Sequence, residues 1–343
     1  MDFALRRLGS ASLPGTALSA IAGGALLGLL GVPAGWLSGA MIGVASAAAS
    51  GLAAPLPKPV QRVTVLLAGV GMGSGLTPAT VHTLVRYPLS LALMAVAITA
   101  MTAASFAVLI RSRGFSRPTA LYSAVPGALA YVFLVAADSG ADLPRVAVIQ
   151  VFRIFVLMAV VPMAARLGVA APTLRYMVDP VWVTLALLGL AGLAAFVVEN
   201  ARVSNGALYA AILVSALAHG FGFAPGRLAP GMQIVAQTLV GAWVGCRFIG
   251  FDWRLLRELV FAAATSFLAA FIVATAFAAL ASAAVGAPFA DALVAFAPGG
   301  LEAMTMMAFA LGLDPLFVGA HHIARFLFIS VTLPFVAKKI AQN

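Results

Sequence analysis

Few side chains in this sequence could do chemistry, and most of them lie between Pro298 and Pro334. Glu302 follows Pro298-Gly299-Gly300-Leu301 inside an apolar segment. Ionised at mid-membrane it would cost about 2.5–3.5 kcal/mol, so a proton, a cation or an arginine must accompany it. Coupling to a proton or sodium ion is one reading, and a structural pair with Arg325 is the other. Arg325 sits in a second apolar run with His321 and His322, and Arg153 holds the matching place in an earlier run. The arginines could neutralise a small anionic solute, most simply a carboxylate, or bond carbonyls freed by a broken helix. His321 and His322 are adjacent and point about 100° apart, so one metal does not suit both; His321 and Arg325 share a face at i, i+4. Met304, Met306 and Met307 are soft enough for copper, although apolar filling is their commoner use. With four His and the single Cys246, the chain has no cysteine metal cage and no His/carboxylate cluster for oxygen chemistry. No nucleophile–base pair or phosphate loop is legible, so neither catalytic residues nor a cofactor are expected.

These groups must be positioned by two interruptions, Pro126-Gly127 and Pro298-Gly299-Gly300. A helix broken inside a membrane exposes N–H and C=O groups that lipid cannot satisfy, so they must face protein, water or solute. Paired breaks at matching places in two halves mark the central sites of transporters built from repeats. A half-helix opening at Gly299-Gly300 would aim N–H groups and a positive dipole end at an anion. The plainer alternative is a packing kink at proline. Asp142 and Asp314, each just before a proline-containing helix start, read as N-caps.

The breaks belong to a longer correspondence. Residues 126–162 and 298–334 align without gaps at an offset of 172, with 9 identities in 37 positions, where this composition gives about three by chance. The same offset pairs Gln61, Val63, Leu67, Gly69 and Gly73 with Gln233, Val235, Leu239, Gly241 and Gly245. The chain therefore reads as two membrane repeats, 1–170 and 171–343.

Composition gives the class. Hydrophobic residues make up 63% and charged residues 9%, against about 45–50% and 25% in soluble domains. Apolar runs of near-spanning length recur throughout, and they lack the alternation of barrel strands. The expected fold is all-α: a polytopic helical membrane protein of about ten spans plus two broken or re-entrant segments. Spans are expected at about Pro14 to Leu30, Ala34 to Ser50, Val60 to Leu76 and Pro88 to Ile110, then the broken segment Thr119 to Ala137 and a helix from Asp142 to about Pro162. The second half repeats this order, with spans centred near Leu188, Ile212, Leu239 and Ala270. The net charge of +10 sits almost wholly in short connections, which fits the positive-inside rule and leaves no soluble patch for nucleic acid. Arg6 and Arg7 before an apolar run resemble a signal peptide, but an uncleaved first helix is the better reading. If the broken segments re-enter, the repeats are inverted and 14 Lys/Arg fall inside against 4 outside; if they cross, the division is 12 to 6. The bias favours inversion with both termini cytoplasmic.

The P-G-G-L run, the H-H-x-x-R helix and the G-V-P-A-G-W-L-S-G-A-M stretch from Gly31 to Met41 together resemble the bacterial AbrB membrane-protein family. This is the duplicated integral membrane family, distinct from the small DNA-binding regulator of the same name. Its members are labelled regulators of gene expression or ammonia monooxygenases. The resemblance implies a multi-pass protein of the bacterial plasma membrane. In the family a carboxylate usually stands two residues after the P-G-G-L leucine; here Glu302 follows Leu301 directly, and the first copy, P-G-A-L-A-Y-V, has none. The resulting expectation is a secondary transporter of a small solute, with Pro126, Gly127, Arg153, Pro298, Gly299, Gly300, Glu302, His321, His322 and Arg325 at the site. The alternatives are a membrane protein that affects gene expression indirectly and an ammonia-oxidising enzyme. Expected partners are the lipid bilayer, the solute, a coupling proton or sodium ion and, in a homo-oligomer, further copies of the chain.

Overall fold

The computed structural model describes residues 12–75, 87–127, 129–136, 139–167, 177–200, 206–224 and 226–341. Arg6, Arg7, His82, Arg86, Arg175 and Arg202 lie outside them, as do the side chains of Arg166, Glu302 and Lys339. Fourteen α-helices are present among the described residues. They are α1 (Leu13–Leu29), α2 (Gly35–Ala49), α3 (Lys58–Gly73), α4 (Tyr87–Leu109), α5 (Arg117–Ala124), α6 (Leu129–Ala136) and α7 (Leu143–Leu167). The second half adds α8 (Val181–Asn200), α9 (Gly206–Gly220), α10 (Pro230–Gly245), α11 (Trp253–Val285), α12 (Phe289–Phe296), α13 (Leu301–Ala310) and α14 (Pro315–Ala341). The only extended pairings among the described residues are two isolated bridges, Ser12 with Ala53 and Val178 with Arg227.

The helix ends follow the local sequence. Ser12 and Ser116 cap α1 and α5 by accepting the N–H of Gly15 and Thr119, with Pro14 and Pro118 in the first turns. Asp142 and Asp314 accept the N–H of Arg145 and Leu316 at 3.1 and 2.9 Å, so both are the N-caps expected. Gly286 ends the 33-residue α11 in a left-handed conformation. Helices α4, α7, α8, α11 and α14 contain stretches long and apolar enough to cross a membrane, and α1, α2 and α9 are shorter apolar helices. The protein is an all-α helical membrane protein.

The helices divide into two compact units. The first contains α1–α3, α8–α10 and residues 305–316; the second contains α4–α7, α11, α12, the start of α13 and α14 from Phe317. Each unit draws on both sequence halves.

In the first unit, small residues let backbones touch, because lipid provides no hydrophobic drive between helices and packing must provide it. A methyl group at Gly23 would lie 2.2 Å from the Gly39 carbonyl oxygen, which fixes α1 against α2. Helix α3 packs on α9 and α10 packs on α2 in a reciprocal manner. At Gly73 a methyl group would strike Ile212 O at 2.5 Å and Ser215 Cβ at 2.6 Å; at Gly245, 172 residues on, it would strike Met41 O at 2.8 Å and Val44 Cβ at 2.7 Å. Gln61 donates to the Leu56 carbonyl at 2.6 Å, and Gln233 donates to the Leu228 carbonyl at 2.7 Å, again 172 positions apart. In the second unit, α11 packs along α4. Leu109, Phe115, Ala124, Ile149 and Leu259 form part of a core that joins α4, α5, α7 and α11.

Candidate functional site

The second unit holds both interruptions. Helix α5 stops at Ala124, and Val125 is extended (φ −59°, ψ 124°). Helix α12 stops at Phe296, and Ala297 is extended in the same way (φ −54°, ψ 136°). Proline at the next position excludes helical geometry for both residues, so Pro126 and Pro298 place the breaks where the sequence puts them. The breaks meet. A methyl group on Gly127 would lie 3.2 Å from the Gly299 carbonyl oxygen and 3.7 Å from Arg325 Nε. Gly127 has a φ of 80°, which a glycine adopts without strain.

A helix that stops inside the membrane leaves its last carbonyls without intrahelical partners. Arginine supplies the missing donors at both breaks. Arg325 is 2% exposed; its Nη1 donates to the Ala297 carbonyl at 2.6 Å and its Nη2 to the Gly299 carbonyl at 2.7 Å. Arg153 is 4% exposed; its Nη2 donates to the Val125 carbonyl at 3.0 Å and its Nη1 reaches the Ala124 carbonyl at 3.5 Å. Each guanidinium thus caps the negative end of a short helix. Among the described residues no carboxylate pairs with either arginine.

A second polar residue braces each arginine three positions earlier. Gln150 donates from Nε2 to the Tyr122 carbonyl at 2.8 Å and accepts Arg153 Nη2 on Oε1 at 2.5 Å. His322 has Nε2 3.2 Å from the Val294 carbonyl, and its Nδ1 faces Arg325 Nη2. All four partnerships match at an offset of 172.

His321 points elsewhere, as adjacent helical positions require. Its Nδ1 lies 2.7 Å from the Phe317 carbonyl and its Nε2 lies 2.9 Å from Ser90 Oγ on α4. His321 and Arg325 share a face at i, i+4, while the hydrogen-bonding partner of Arg325 is His322 at i, i+3, because the guanidinium leans toward the break. Met304, Met306 and Met307 are fully buried, and a methyl group on Gly299 would meet Met304 Sδ at 2.7 Å. Met304 therefore fills space against the second break. Gly300 accepts the Met304 N–H at 3.0 Å and opens α13.

A family model described as "Transition state regulatory protein AbrB" matches residues 36–341. The chain belongs to the AbrB family. Two relatives cover most of it. "Uncharacterized protein YhjN" of Bacillus subtilis (strain 168) is 23% identical over 344 residues, with 91% of this chain and 89% of the relative covered. "Putative regulator AbrB" of Escherichia coli (strain K12) is 25% identical over 327 residues, with 92% of this chain and 93% of the relative covered.

Besides Ser90, two groups of residues in this AbrB-family chain escaped the sequence reading. Gln150 could have been found, since it lies three residues before Arg153 as His322 does before Arg325. The other group, in the first unit, could not. There His219 Nε2 lies 3.0 Å from Asp179 Oδ2, His219 Nδ1 lies 2.7 Å from the Ser215 carbonyl, and Gly226 N–H donates to Asp179 Oδ1 at 2.8 Å. Asp179 and His219 are both buried. They are forty positions apart and share no helix, so no spacing announces them. They tie the segment before α8 to the loop after α9.

Proposed function

We propose that this protein is a secondary transporter of a small anionic solute, with a carboxylate the simplest class, bound where the two helix breaks meet. The observation that carries the reading is the pair of buried arginines at the breaks, neither paired with a carboxylate among the described residues. Carbonyl dipoles offset their charge in part, and an anion would complete the balance. Arg153 Nε is also buried without a hydrogen-bond partner, so one donor remains for a ligand. Binding at such a place resembles the discontinuous-helix sites of repeat-built transporters. Glu302, at the start of α13, would belong to the same site. The test is uptake of labelled mono- and dicarboxylates, amino acids and inorganic phosphate into proteoliposomes under imposed proton and sodium gradients. Saturable uptake of at least one anion above protein-free vesicles is expected. No uptake of any of them under either gradient would overturn the proposal and favour the regulatory reading suggested by the name of the Escherichia coli relative.

The proposal includes an internal duplication with inverted halves. Its supports are the identities at an offset of 172, the matched bonds of Gln61 and Gln233 and of Arg153 and Arg325, and the reciprocal packing of Gly73 and Gly245. Loop charge supports inversion, with both termini on the cytoplasmic side of a bacterial plasma membrane. Reporter fusions after Arg202 and after Arg227 should report the cytoplasm and the exterior, respectively. The opposite pattern, or two fusions on one side, would exclude inversion.

A further inference from the structure

We propose that His321 binds the coupling proton, with Ser90 as its exchange partner and His322 held neutral beside it; this rests on the transport reading above. The distinction follows from which atoms can donate. His321 is fully buried. Its Nδ1 faces the Phe317 carbonyl, which can only accept, so Nδ1 carries hydrogen in every state. Its Nε2 faces Ser90 Oγ, which also lies 3.0 Å from the Tyr87 carbonyl. In the neutral state the Ser90 hydroxyl donates to Nε2. When a proton from the aqueous phase adds to Nε2, one N–H bond forms and none breaks within the protein. The new N–H donates to Ser90 Oγ, and the hydroxyl turns its hydrogen to the Tyr87 carbonyl. Both states satisfy every hydrogen bond without moving a heavy atom.

His322 is built the other way. Its Nε2 faces the Val294 carbonyl and must carry hydrogen, whereas its Nδ1 faces the Arg325 guanidinium, which only donates. Protonating Nδ1 would set two donors face to face. Gln150 fills the corresponding place with an amide, donating at one end and accepting at the other. His322 is therefore an amide in function and a positioning residue for Arg325.

The charge around His321 links its proton to an anion. Arg325 stands one turn further along α14 and acts on it electrostatically. Among the described residues, the Tyr87 ring of α4 stands with its centroid 6.1 Å from that of His321, and α12 brings the Phe296 ring to 5.7 Å. An anion against Arg325 would offset the positive charge that opposes the proton. By linkage, protonated His321 would then hold the anion more tightly. Proton–anion symport follows from this arrangement.

The chain has four histidines, so the imidazoles of ¹⁵N-histidine-labelled protein in liposomes can be assigned with single substitutions. On acidification both ring nitrogens of His321 should become protonated, while His322 keeps a bare Nδ1 over the same range. His321→Gln should remove that titration and His322→Gln should leave it. Ser90→Ala, which removes only a hydroxyl, should lower the His321 midpoint by about one to two pH units, the worth of one hydrogen bond to a charged donor. His321 staying neutral wherever the protein is folded, His322 titrating first, or a Ser90→Ala midpoint equal to wild type would each overturn the assignment. Uptake with a non-titrating His321 would sink this inference and leave the transport reading standing; a titrating His321 without uptake of any tested anion would sink the transport reading and the coupling role with it.

Discussion

Replacing Arg325 with methionine is expected to destabilise the protein by about 2–5 kcal/mol. The substitution keeps much of the side-chain volume and removes the donors that hold the Ala297 and Gly299 carbonyls. The Ala297 carbonyl keeps the Gly299 N–H at 2.7 Å, but the Gly299 carbonyl and His322 Nδ1 lose their donor. Each acceptor left unsatisfied in a buried site costs about 1–3 kcal/mol. Release of the buried charge offsets part of that loss. Arg153→Met should follow the same direction with a smaller effect, since its contacts with Val125 and Ala124 are longer, at 3.0 and 3.5 Å. Arg325→Lys should not restore stability fully, because a single ammonium does not reproduce the two-pronged geometry of a guanidinium. Thermal unfolding in detergent reads all three variants. An unchanged midpoint for Arg325→Met would show that the carbonyls do not depend on the arginine, which would then be present for its ligand alone.

The second large effect is expected at the meeting of the breaks. Gly127→Ala places a β-carbon on a residue with φ of 80° and sets it 3.2 Å from the Gly299 carbonyl oxygen, an atom already held by Arg325. Backbone strain of this kind costs about 1–2 kcal/mol. The crowding adds to it, because neither the carbonyl nor the guanidinium can move without losing the other, for a total of about 2–4 kcal/mol. Gly140→Ala is the internal control. Gly140 has a similar φ of 73°, but nothing lies within 4 Å of the added carbon, so only the backbone cost applies, about 1 kcal/mol. The difference between the two variants isolates the contact between the breaks. Equal destabilisation would mean that the contact adds no constraint.

The sequence by itself determined the class, the order of elements and the positions of the breaks. Sixty-three per cent hydrophobic residues leave no soluble fold, and each helix end is set by a local rule: proline excludes helical geometry before it, Asp142 and Asp314 offer side-chain acceptors to the first turn, and Gly286 adopts a left-handed cap without strain. These effects act within a few residues, so they are legible in one dimension. The offset of 172 also marked Arg153 and Arg325 as related, and it could have marked Gln150 and His322.

Only the tertiary structure decided what those residues do. Whether Arg325 faces His321 or His322 depends on where the freed carbonyls lie, and their positions depend on how α12 packs against α14. The contact of Gly127 with Gly299 joins positions far apart in the chain through packing, which periodicity within one helix does not encode. Ser90 carried no signal at all, since a serine in an apolar helix usually bonds its own backbone, and its partner on α14 is 231 positions away. Asp179 and His219 escaped for the same reason: a buried polar pair is made by whichever segments packing brings together, and each residue alone reads as an ordinary loop or helix-end side chain.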